Sequence, residues 1–361
     1  MSKIKIETLS SVHIGSGNEL QEGQDFVVTG SGEYKDITVI DVNEMGRRIE
    51  PRYYDNWVAM INNGKNINEI LKRCAPNTSI DDITKYKIED WANQVKHRDV
   101  LKEQIRDGKG LPYIPGSSIK GALRTAILAS IADGNPGKIN SFNFRNFEKD
   151  NFGNINNSVF RFMQVGDAFF EPESVIATRV NSLNIRDSQD DLHDEKISQL
   201  LEVIRQGESS TLDLKLDIDR YRISKCQDSS LVAMPDCMQS LGKLFAAVNA
   251  HTMQLVQSDI EFWEDQEKTG AEHYVDNLNE IVNEANTCKK GNECILRVGA
   301  GSGWRFTTGA WTESHDFFED EVVPMSRRKY RNYTMYPFPK TRRAEEQDDM
   351  LLGFVKLSIT E

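Results

Sequence analysis

The clearest hydrophobic pattern in the chain follows a glycine turn in the stretch LPYIPGSSIKGALRTAILASIA. Pro115 and Gly116 end the preceding segment, and Ser117 or Ser118 is placed to cap a helix by accepting from its first N–H groups. Apolar residues then recur three and four positions apart, at Ile119, Leu123, Ala126, Ile127 and Ile131. This spacing predicts an amphipathic helix with one face buried against a core.

Strand patterns lie on both sides of this helix. Ile4 and Ile6 alternate with polar residues near the N-terminus, and TLDLKLDID alternates over its whole length. Such alternation predicts strands with one solvent-exposed face. Further strands are predicted at 159–165, at 174–185 and in the ILRVG stretch, and further helices at 231–256 and 273–286.

Taken in order, the main elements are strand, helix, strand, strand, helix, strand. This is the βαββαβ order of an α+β, ferredoxin-like (RRM-type) core, in which both helices pack on one face of an antiparallel sheet. The acidic segment 187–194 is expected to form an exposed loop before a short helix. The asparagine-rich segment 133–157 has the composition of a loop.

A long excursion at about 18–110 interrupts the predicted core. We expect it to form an inserted helical lobe, with short strand candidates at 26–28 and 37–40 and helices around 57–61, 67–71 and 88–105. The core then covers 1–310, and a basic C-terminal extension, 311–361, is expected to return to the sheet. Two RRM-like domains divided near residue 158 are the alternative arrangement.

The composition narrows the class of protein. The chain has 361 residues and a formal net charge of −12, which argues against general coating of nucleic acid but allows a local basic groove. The start resembles no signal peptide and no stretch approaches a membrane span, so we expect a soluble, cytoplasmic protein without membrane contact. The five cysteines form no CxxC pair, which predicts reduced thiols with no metal site. No cofactor is expected.

The predicted helix also carries candidate chemistry. Ser117, Lys120 and Arg124 lie three and four residues apart, so they share one side of the first turns. A phosphate there would meet N–H groups, a hydroxyl and two cations. An ordinary surface helix with two solvated cations is the alternative, although Gly121 inside the helix suggests a close approach by a ligand or a backbone.

A second candidate site is the glycine loop GAGSGWR. Gly299, Gly301 and Gly303 would let the backbone approach a phosphate, with Arg305 nearby. The loop lacks the Lys-Ser/Thr of a P-loop, so nucleotide hydrolysis ranks low. A structural glycine-rich hairpin or bulge is the alternative.

Two weaker signals accompany these motifs. His13, in SSVHIGSG, is a candidate RNA contact or general base, although a half-buried histidine at a strand end explains it as well. Cations mixed with aromatic residues follow Pro324 and suit single-stranded nucleic acid, unless they contact an acidic partner or the acidic segment 313–321. These residues are Arg327, Arg328, Lys329, Tyr330, Arg331, Tyr333, Tyr336, Phe338, Lys340, Arg342 and Arg343.

The stretches IPGSSIKGALRTAIL and VGAGSGW resemble the two signatures of the CRISPR-associated RAMP proteins, RNA-binding subunits with ferredoxin-like cores. SSVHIGSG, VGDAFF, PFPKTRR and GFVKL are in addition similar to the Csm-type subunits that cap the crRNA 3′ end in type III-A effector complexes. The resemblance is weak in 18–110 and 133–157.

The resemblance implies a non-catalytic subunit of the effector ribonucleoprotein that is needed for crRNA 3′-end maturation, complex assembly and antiviral defence. The implied partners are crRNA, target RNA near the guide 3′ end, the repeated backbone RAMP subunit and other Csm subunits, with host trimming nucleases possible. The implied RNA contacts are Gly116, Ser117, Ser118, Lys120, Arg124, Gly299, Gly301, Ser302, Gly303 and Arg305, with His13 as a fainter candidate.

Two other functions stay open. A crRNA-processing, metal-independent endoribonuclease of the same superfamily would use His13 as general base, but the sequence offers no partner acid near it. A protein-interaction subunit without RNA contact would have purely structural glycine motifs. If Lys120 and Arg124 are exposed, replacing both with alanine should weaken RNA binding without unfolding the protein, and Gly301→Val should block crRNA retention.

Overall fold

The structure, a computed structural model, describes residues 1–31, 34–92, 95–135, 137–185, 190–266, 268–326 and 338–360. The strands are β1 Ser2–Thr8, β2 Gly15–Gln21, β3 Phe26–Ser31, β4 Tyr34–Ile40, β5 Thr84–Asp90, β6 Val100–Gln104, β7 Tyr113–Ile114, β8 Met163–Val165, β9 Ala168–Phe169, β10 Val175–Asn184, β11 His193–Ile204, β12 Ser209–Leu216, β13 Glu293–Arg297, β14 Thr341–Glu345 and β15 Phe354–Ile359. The helices are α1 Val42–Arg48, α2 Tyr54–Asn62, α3 Ile67–Cys74, α4 Gly116–Asp133, α5 Phe144–Phe152, α6 Ile218–Gln227, α7 Leu241–Glu264, α8 Glu272–Thr287 and α9 Val323–Ser326.

The predicted ferredoxin-like core is the five-stranded sheet β13-β15-β1-β12-β8, in which all neighbours are antiparallel. Strands β1 and β8 are therefore parallel with β12 between them, and β12 and β15 are parallel with β1 between them. These are the two interleaved split βαβ units of that fold. The α+β, ferredoxin-like prediction is confirmed.

One strand assignment within this core is corrected. The expected last core strand, ILRVG, corresponds to β13, which lies at the sheet edge, whereas β15 takes the place beside β1. The short α6 and the two long helices α7 and α8 separate β12 from β13, and β13 runs opposite to β12. The C-terminal segment therefore completes the sheet.

The core of this sheet forms on one face. Ile4 and Ile6 of β1 and Leu212 and Leu214 of β12 are buried in one cluster with apolar residues of α4 and α7. The buried residues of α4 include Ile119, Leu123, Ala126 and Ile127, as its spacing predicts. The helix face and the alternating strands thus bury the same core.

A second sheet has the order β2-β6-β11-β10-β5-β4-β3, with β14 paired to β10. Strands β10 and β11 are antiparallel and join it to the first sheet, because the turn after β11 leads directly into β12. The helices α1 and α3 pack on β3 and β4 through a separate apolar cluster. The domain boundaries that the sequence suggests, including the alternative split near 158, stay predictions.

Several local predictions were wrong. Within the stretch 88–105, residues 88–90 end β5 and residues 100–104 form β6 instead of a helix, because both segments pair with neighbouring strands. The short helix expected after 194 is the long strand β11, which neighbouring strands cover on both edges. The helix expected from 231 begins only at Leu241, where Ser240 caps it. Residues 159–162 form a 3₁₀ turn ahead of β8.

Three chain segments cross at one end of the first sheet, and we call this crossing the seam. The N–H of Val298 donates to Gly353 O at 2.7 Å, and the N–H of Gly353 donates to Ser11 O at 2.8 Å. The N–H of Ala300 donates to His13 O at 2.9 Å. The segments that leave β1 and β13 and the segment that enters β15 are therefore joined by backbone hydrogen bonds.

Among the described residues, no three or more histidine, cysteine or acidic side chains are grouped to hold a metal ion, and all five cysteines are free. In the same part of the chain, none of the helices has the length and apolar character that crossing a membrane requires.

The seam predicts a large cost for a side chain at Gly353. Gly353 has φ +87°, and an added Cβ would lie 2.2 Å from Val298 O. Gly207 has nearly the same φ, +85°, with open space around it. We expect Gly207→Ala to cost about 1 kcal/mol and Gly353→Ala about 3 kcal/mol or more in urea unfolding. Equal losses would contradict the close packing of the seam.

Candidate nucleic-acid interface

The first candidate motif starts helix α4. The helix begins at Gly116 with Pro115 as its N-cap residue, so neither serine caps it as expected. The N–H of Gly116 instead donates to Asp167 Oδ1 at 2.7 Å. An added Cβ at Gly116 would lie 2.2 Å from Val165 O, because the helix start packs directly against the end of β8. A carboxylate of the chain therefore already interacts with the helix N-terminus.

The two cations of this motif bind within the protein. Lys120 Nζ donates to Phe160 O at 2.8 Å and to Met163 O at 2.7 Å. Burial, together with the nearby Arg124, lowers the pKa of Lys120. Arg124 pairs with Glu148 of α5 through its Nε at 2.7 Å, and its guanidinium lies over the rings of Phe152 and Phe160. Both cations therefore have partners within the chain, unlike the two solvated cations of the surface-helix alternative.

The remaining residues of the motif differ in exposure. Ser117 and Gly121 are exposed and Ser118 is half-buried. Nothing lies within 4 Å of the position that a Cβ on Gly121 would take. The surface that α4 offers near its start is therefore small, with the Ser117 hydroxyl and the exposed Asp167 carboxylate as polar groups.

The glycine loop after β13 packs tightly at two of its three glycines. Gly299 has φ +72°, and an added Cβ would lie 2.3 Å from His13 O. Gly301 has φ +84°, and an added Cβ would lie 2.6 Å from Leu352 Cβ. Close packing within the protein therefore accounts for these two glycines. A loss of function in Gly301→Val would first reflect damage to the seam, so this variant cannot report RNA contact by itself.

The tip of the same loop is open. Gly303 is exposed with φ +64°, and the nearest atom to an added Cβ is Gly301 O at 3.8 Å. Ser302 donates its hydroxyl to Gly299 O at 2.8 Å. Within the described part of the chain, the N–H groups of Gly301 and Gly303 make no hydrogen bond. These donors, at positive φ, suit an anionic ligand.

Arg305 was expected to reach RNA, but it is only 7% exposed. Its guanidinium donates to Glu313 Oε1 at 2.9 Å and to Asp259 Oδ1 at 3.1 Å. Arg342, from the basic C-terminal stretch, binds the same Asp259 at 2.9 Å through its Nε. Burial opposes ionisation of Asp259, but the arginines outweigh it and hold its pKa below the usual value.

His13 is buried inside the seam. Its Nδ1 lies 2.6 Å from Glu202 O, so this nitrogen carries a proton and donates it to the carbonyl. Burial lowers the pKa of His13 more than this hydrogen bond raises it. The Glu202 carboxylate points elsewhere and accepts from Tyr86 at 2.8 Å and from Arg106 at 3.1 Å. The geometry favours a structural histidine over an exposed general base.

The open face of the first sheet differs from an RRM surface. Its outward residues on β1 are Lys3, Lys5 and Glu7; Lys3 pairs with Asp213 and Lys5 with Glu7. RRM sheets bind RNA by stacking bases on aromatic side chains, and these described outward positions carry none. The end of the first sheet that carries the α4 start and the glycine loop is therefore the better candidate for RNA contact, and we call it the RNA edge.

Both motifs lie at this edge, where β1, β8 and β13 end and β12 and β15 begin. Four strand spacings separate β8 from β13, so the α4 start and the glycine loop lie on opposite sides of this end of the sheet. Sequence reasoning missed Asp167, which holds the α4 start, although VGDAFF contains it. Of the basic stretch, residues 327–337 lie outside the described residues.

The Lys120 geometry predicts a loss of stability. Lys120→Met removes two hydrogen bonds from a charged donor to backbone carbonyls, so we expect it to lower the free energy of unfolding by about 1–3 kcal/mol. Lys109→Met, at an exposed loop residue, is the matched control and should change stability little. Equal stability of the two variants in urea would show that the Lys120 contacts do not contribute.

His13 predicts a pH dependence. Because its pKa is lower in the folded state, the unfolded chain binds the proton more readily, and the contribution of His13 to stability is lost as pH falls below about 6.5. His13→Gln should therefore show a smaller loss of unfolding free energy between about pH 7.5 and about pH 5 than the parent protein. A parallel pH dependence in both would contradict a neutral, buried His13.

The comparisons with known proteins agree on the family and the fold. The RAMP superfamily model matches residues 5–306. No match was found among curated protein sequences. The chain is similar to a chain of a Csm–crRNA–target RNA ternary complex of a type III-A CRISPR–Cas system, at 20% identity and a TM-score of 0.67, covering 99% of this chain and 100% of that one.

It is also similar to T. onnurineus Csm5, at 18% identity and a TM-score of 0.65, covering 97% of this chain and 99% of that one. At these identities the likeness shows a shared fold. The family match spans most of the length and includes both candidate motifs. This chain belongs to the RAMP superfamily.

Proposed function

We propose that this chain is a non-catalytic, RNA-binding subunit of a type III-A CRISPR effector, at the spacer (3′) end of the crRNA. The observation that carries the proposal is the near-complete mutual coverage with a chain of a Csm–crRNA–target RNA complex and with a Csm5. The subunit would be required for crRNA 3′-end maturation and for assembly in antiviral defence. Its partners would be crRNA, target RNA and other Csm subunits, including the repeated backbone subunit, with trimming nucleases supplied by the cell.

The exposed groups at the edge of the first sheet support a particular way of holding RNA. Arg305 is buried against Asp259, Lys120 donates to backbone carbonyls, and the partly exposed Arg124 pairs with Glu148, so each of the three cations already has a partner within the chain. The Ser117 hydroxyl and the N–H groups of Gly301 and Gly303 are neutral donors near the surface, whereas the Ser302 hydroxyl already donates to Gly299 O. Contact through hydroxyl and backbone donors needs no local positive charge, which suits a chain with a net charge of −12.

The burial of His13 disfavours the endoribonuclease alternative. A general base needs to reach the hydroxyl that it deprotonates, but the His13 ring is 5% exposed and its Nδ1 is committed to Glu202 O. The internal pairing of the motif cations favours the other alternative, a protein-interaction subunit without RNA contact. Direct binding of single-stranded RNA by the purified protein separates RNA contact from a pure protein-interaction role. Because the proposed donors are neutral, this affinity should fall only shallowly with salt.

Paired substitutions test the proposed contact without disturbing the fold. Asp and Asn are similar in size and both tolerate positive φ, so Gly303→Asp and Gly303→Asn differ mainly in charge. Ser117→Asp places a carboxylate in the first turn of α4, where it favours the helix, while Ser117→Asn does not. If RNA phosphates pass these residues, each Asp variant should bind single-stranded RNA about tenfold more weakly than its Asn partner, as expected for about 1.4 kcal/mol of repulsion.

The same variants, assembled with the other effector subunits, should yield guides with unprocessed 3′ ends when the residue is Asp. Circular dichroism checks that each variant folds. Equal RNA affinity and equal guide lengths within both pairs would reject RNA contact at this edge. Normal guide ends in complexes that lack the subunit altogether would reject its role in maturation.

A further inference from the structure

Two adjoining cavities lie beside the C-terminal half of α4, far from the proposed RNA edge. The first, about 250 Å³, lies between α4, α7 and residues 310–314. The second, about 670 Å³, lies between the end of α4 and residues 314–321. Asp133 and Ser314 line both cavities, so the two form one continuous depression. We call this depression the acidic groove.

A buried histidine without a partner lies in the wall of the first cavity. His251 of α7 is 9% exposed, and its Nε2 has no hydrogen-bond partner in the described part of the molecule. Burial lowers the pKa of His251 to about 4, so the ring is neutral at pH 7. A buried polar atom without a partner costs free energy. In the tautomer with its proton on Nδ1, the Nε2 atom is an acceptor, and a ligand that enters the cavity and donates a hydrogen bond to it would remove this cost.

The charge of the groove indicates which charge that ligand carries. Carboxylates line it from end to end, at Asp133, Glu313, Asp316, Asp320 and Glu321, and the described lining includes no lysine or arginine. Glu313 pairs with Arg305 and Glu321 with Arg145. No ion pair is formed by the other three among the residues described. An RNA phosphate would be repelled here, whereas a cation would be attracted.

We propose that the acidic groove binds a basic segment of a protein partner and that an arginine of this segment enters the cavity beside His251. A guanidinium carries five N–H donors on a planar group. It could therefore donate both to the Asp133 carboxylate at the rim and to the unpartnered His251 nitrogen. Trp311 lines the same cavity, and arginine stacks on such rings better than lysine does.

The location makes this surface independent of RNA binding. Helix α4 has 18 residues and is therefore roughly 27 Å long. Its start, with Ser117, lies at the proposed RNA edge, and its end, with Asp133, lies in the acidic groove. The proposed RNA-binding surface therefore lies at the start of α4, and the proposed surface for a basic partner lies at its end. A subunit at the end of an assembly needs both kinds of contact.

The test uses the full-length protein and a fluorescent twelve-residue peptide of alternating arginine and serine, with a matched lysine–serine peptide for comparison. Asp133→Asn removes the rim charge at a helix C-terminus, where a carboxylate is unfavourable, so the helix should persist. Glu319→Gln is the control, because Glu319 is an exposed acid of the same region outside the groove lining. At near-physiological salt we expect Asp133→Asn to weaken arginine-peptide binding about tenfold and Glu319→Gln to leave it unchanged.

A second variant tests the histidine. His251→Leu replaces the buried imidazole with an apolar side chain and so removes the acceptor. It should weaken binding of the arginine peptide more than binding of the lysine peptide. Equal binding by Asp133→Asn and Glu319→Gln would overturn the groove as the site. Equal binding of both peptides by the parent protein would overturn the assignment of an arginine.

Two further outcomes would identify a different occupant. If the change of Arg327, Arg328 and Lys329 to serine strengthens peptide binding, the chain's own basic stretch occupies the groove and the partner proposal is wrong. If a uridine oligonucleotide displaces the peptide from the parent protein but not from Ser117→Asp, the peptide binds at the RNA edge and the proposal is equally wrong.

Discussion

The seam at the end of the first sheet is the constraint on which the rest of the structure depends. The segments after β1 and β13 and before β15 meet there through backbone hydrogen bonds of 2.7–2.9 Å between Val298, Gly353, Ser11, Ala300 and His13. Side chains cannot fit between backbones at this distance, which explains the glycines with positive φ. Because the segment after β1 continues into the second sheet, the same crossing also fixes how the two sheets meet.

Buried charge explains why the motif cations are unavailable to RNA. Asp259 is 3% exposed and would be costly to bury alone, but Arg305 and Arg342 surround it. These arginines connect α7 to the segment after the glycine loop and to β14. Lys120 similarly connects α4 to the turn before β8. The cations of the two motifs therefore contribute to stability, so a phosphate at the motifs themselves would meet neutral donors.

The sequence predicted secondary structure and burial most reliably where a single hydrophobic period dominated a segment. Leu212 and Leu214 alternate with polar residues, and Ile119, Leu123 and Ile127 recur at helical spacing, and all five are buried as expected. It failed where tertiary pairing decides the structure: ISQLLEVI has helical spacing, yet strands on both edges make it part of β11. The glycine signal was right about close approach at Gly299 and Gly301, although His13 and Leu352 of the chain itself are the approaching groups, and it was wrong at Gly121, where the space is open. Asp167 and Asp259 could not be paired with distant partners from sequence alone.

The two proposed surfaces together account for an otherwise awkward combination, an acidic protein in an RNA-binding family. Negative charge spread over the surface would weaken RNA binding at every site by repulsion within a Debye length of about 8–10 Å. The acidic groove lies at the far end of α4, and Asp133 is roughly 24 Å from Ser117, so the carboxylates of the groove are screened from an RNA at the sheet edge. The same carboxylates would discourage RNA from binding in the wrong place. A strongly acidic composition is therefore compatible with RNA binding when the anionic and RNA-facing surfaces are separated by more than the screening length.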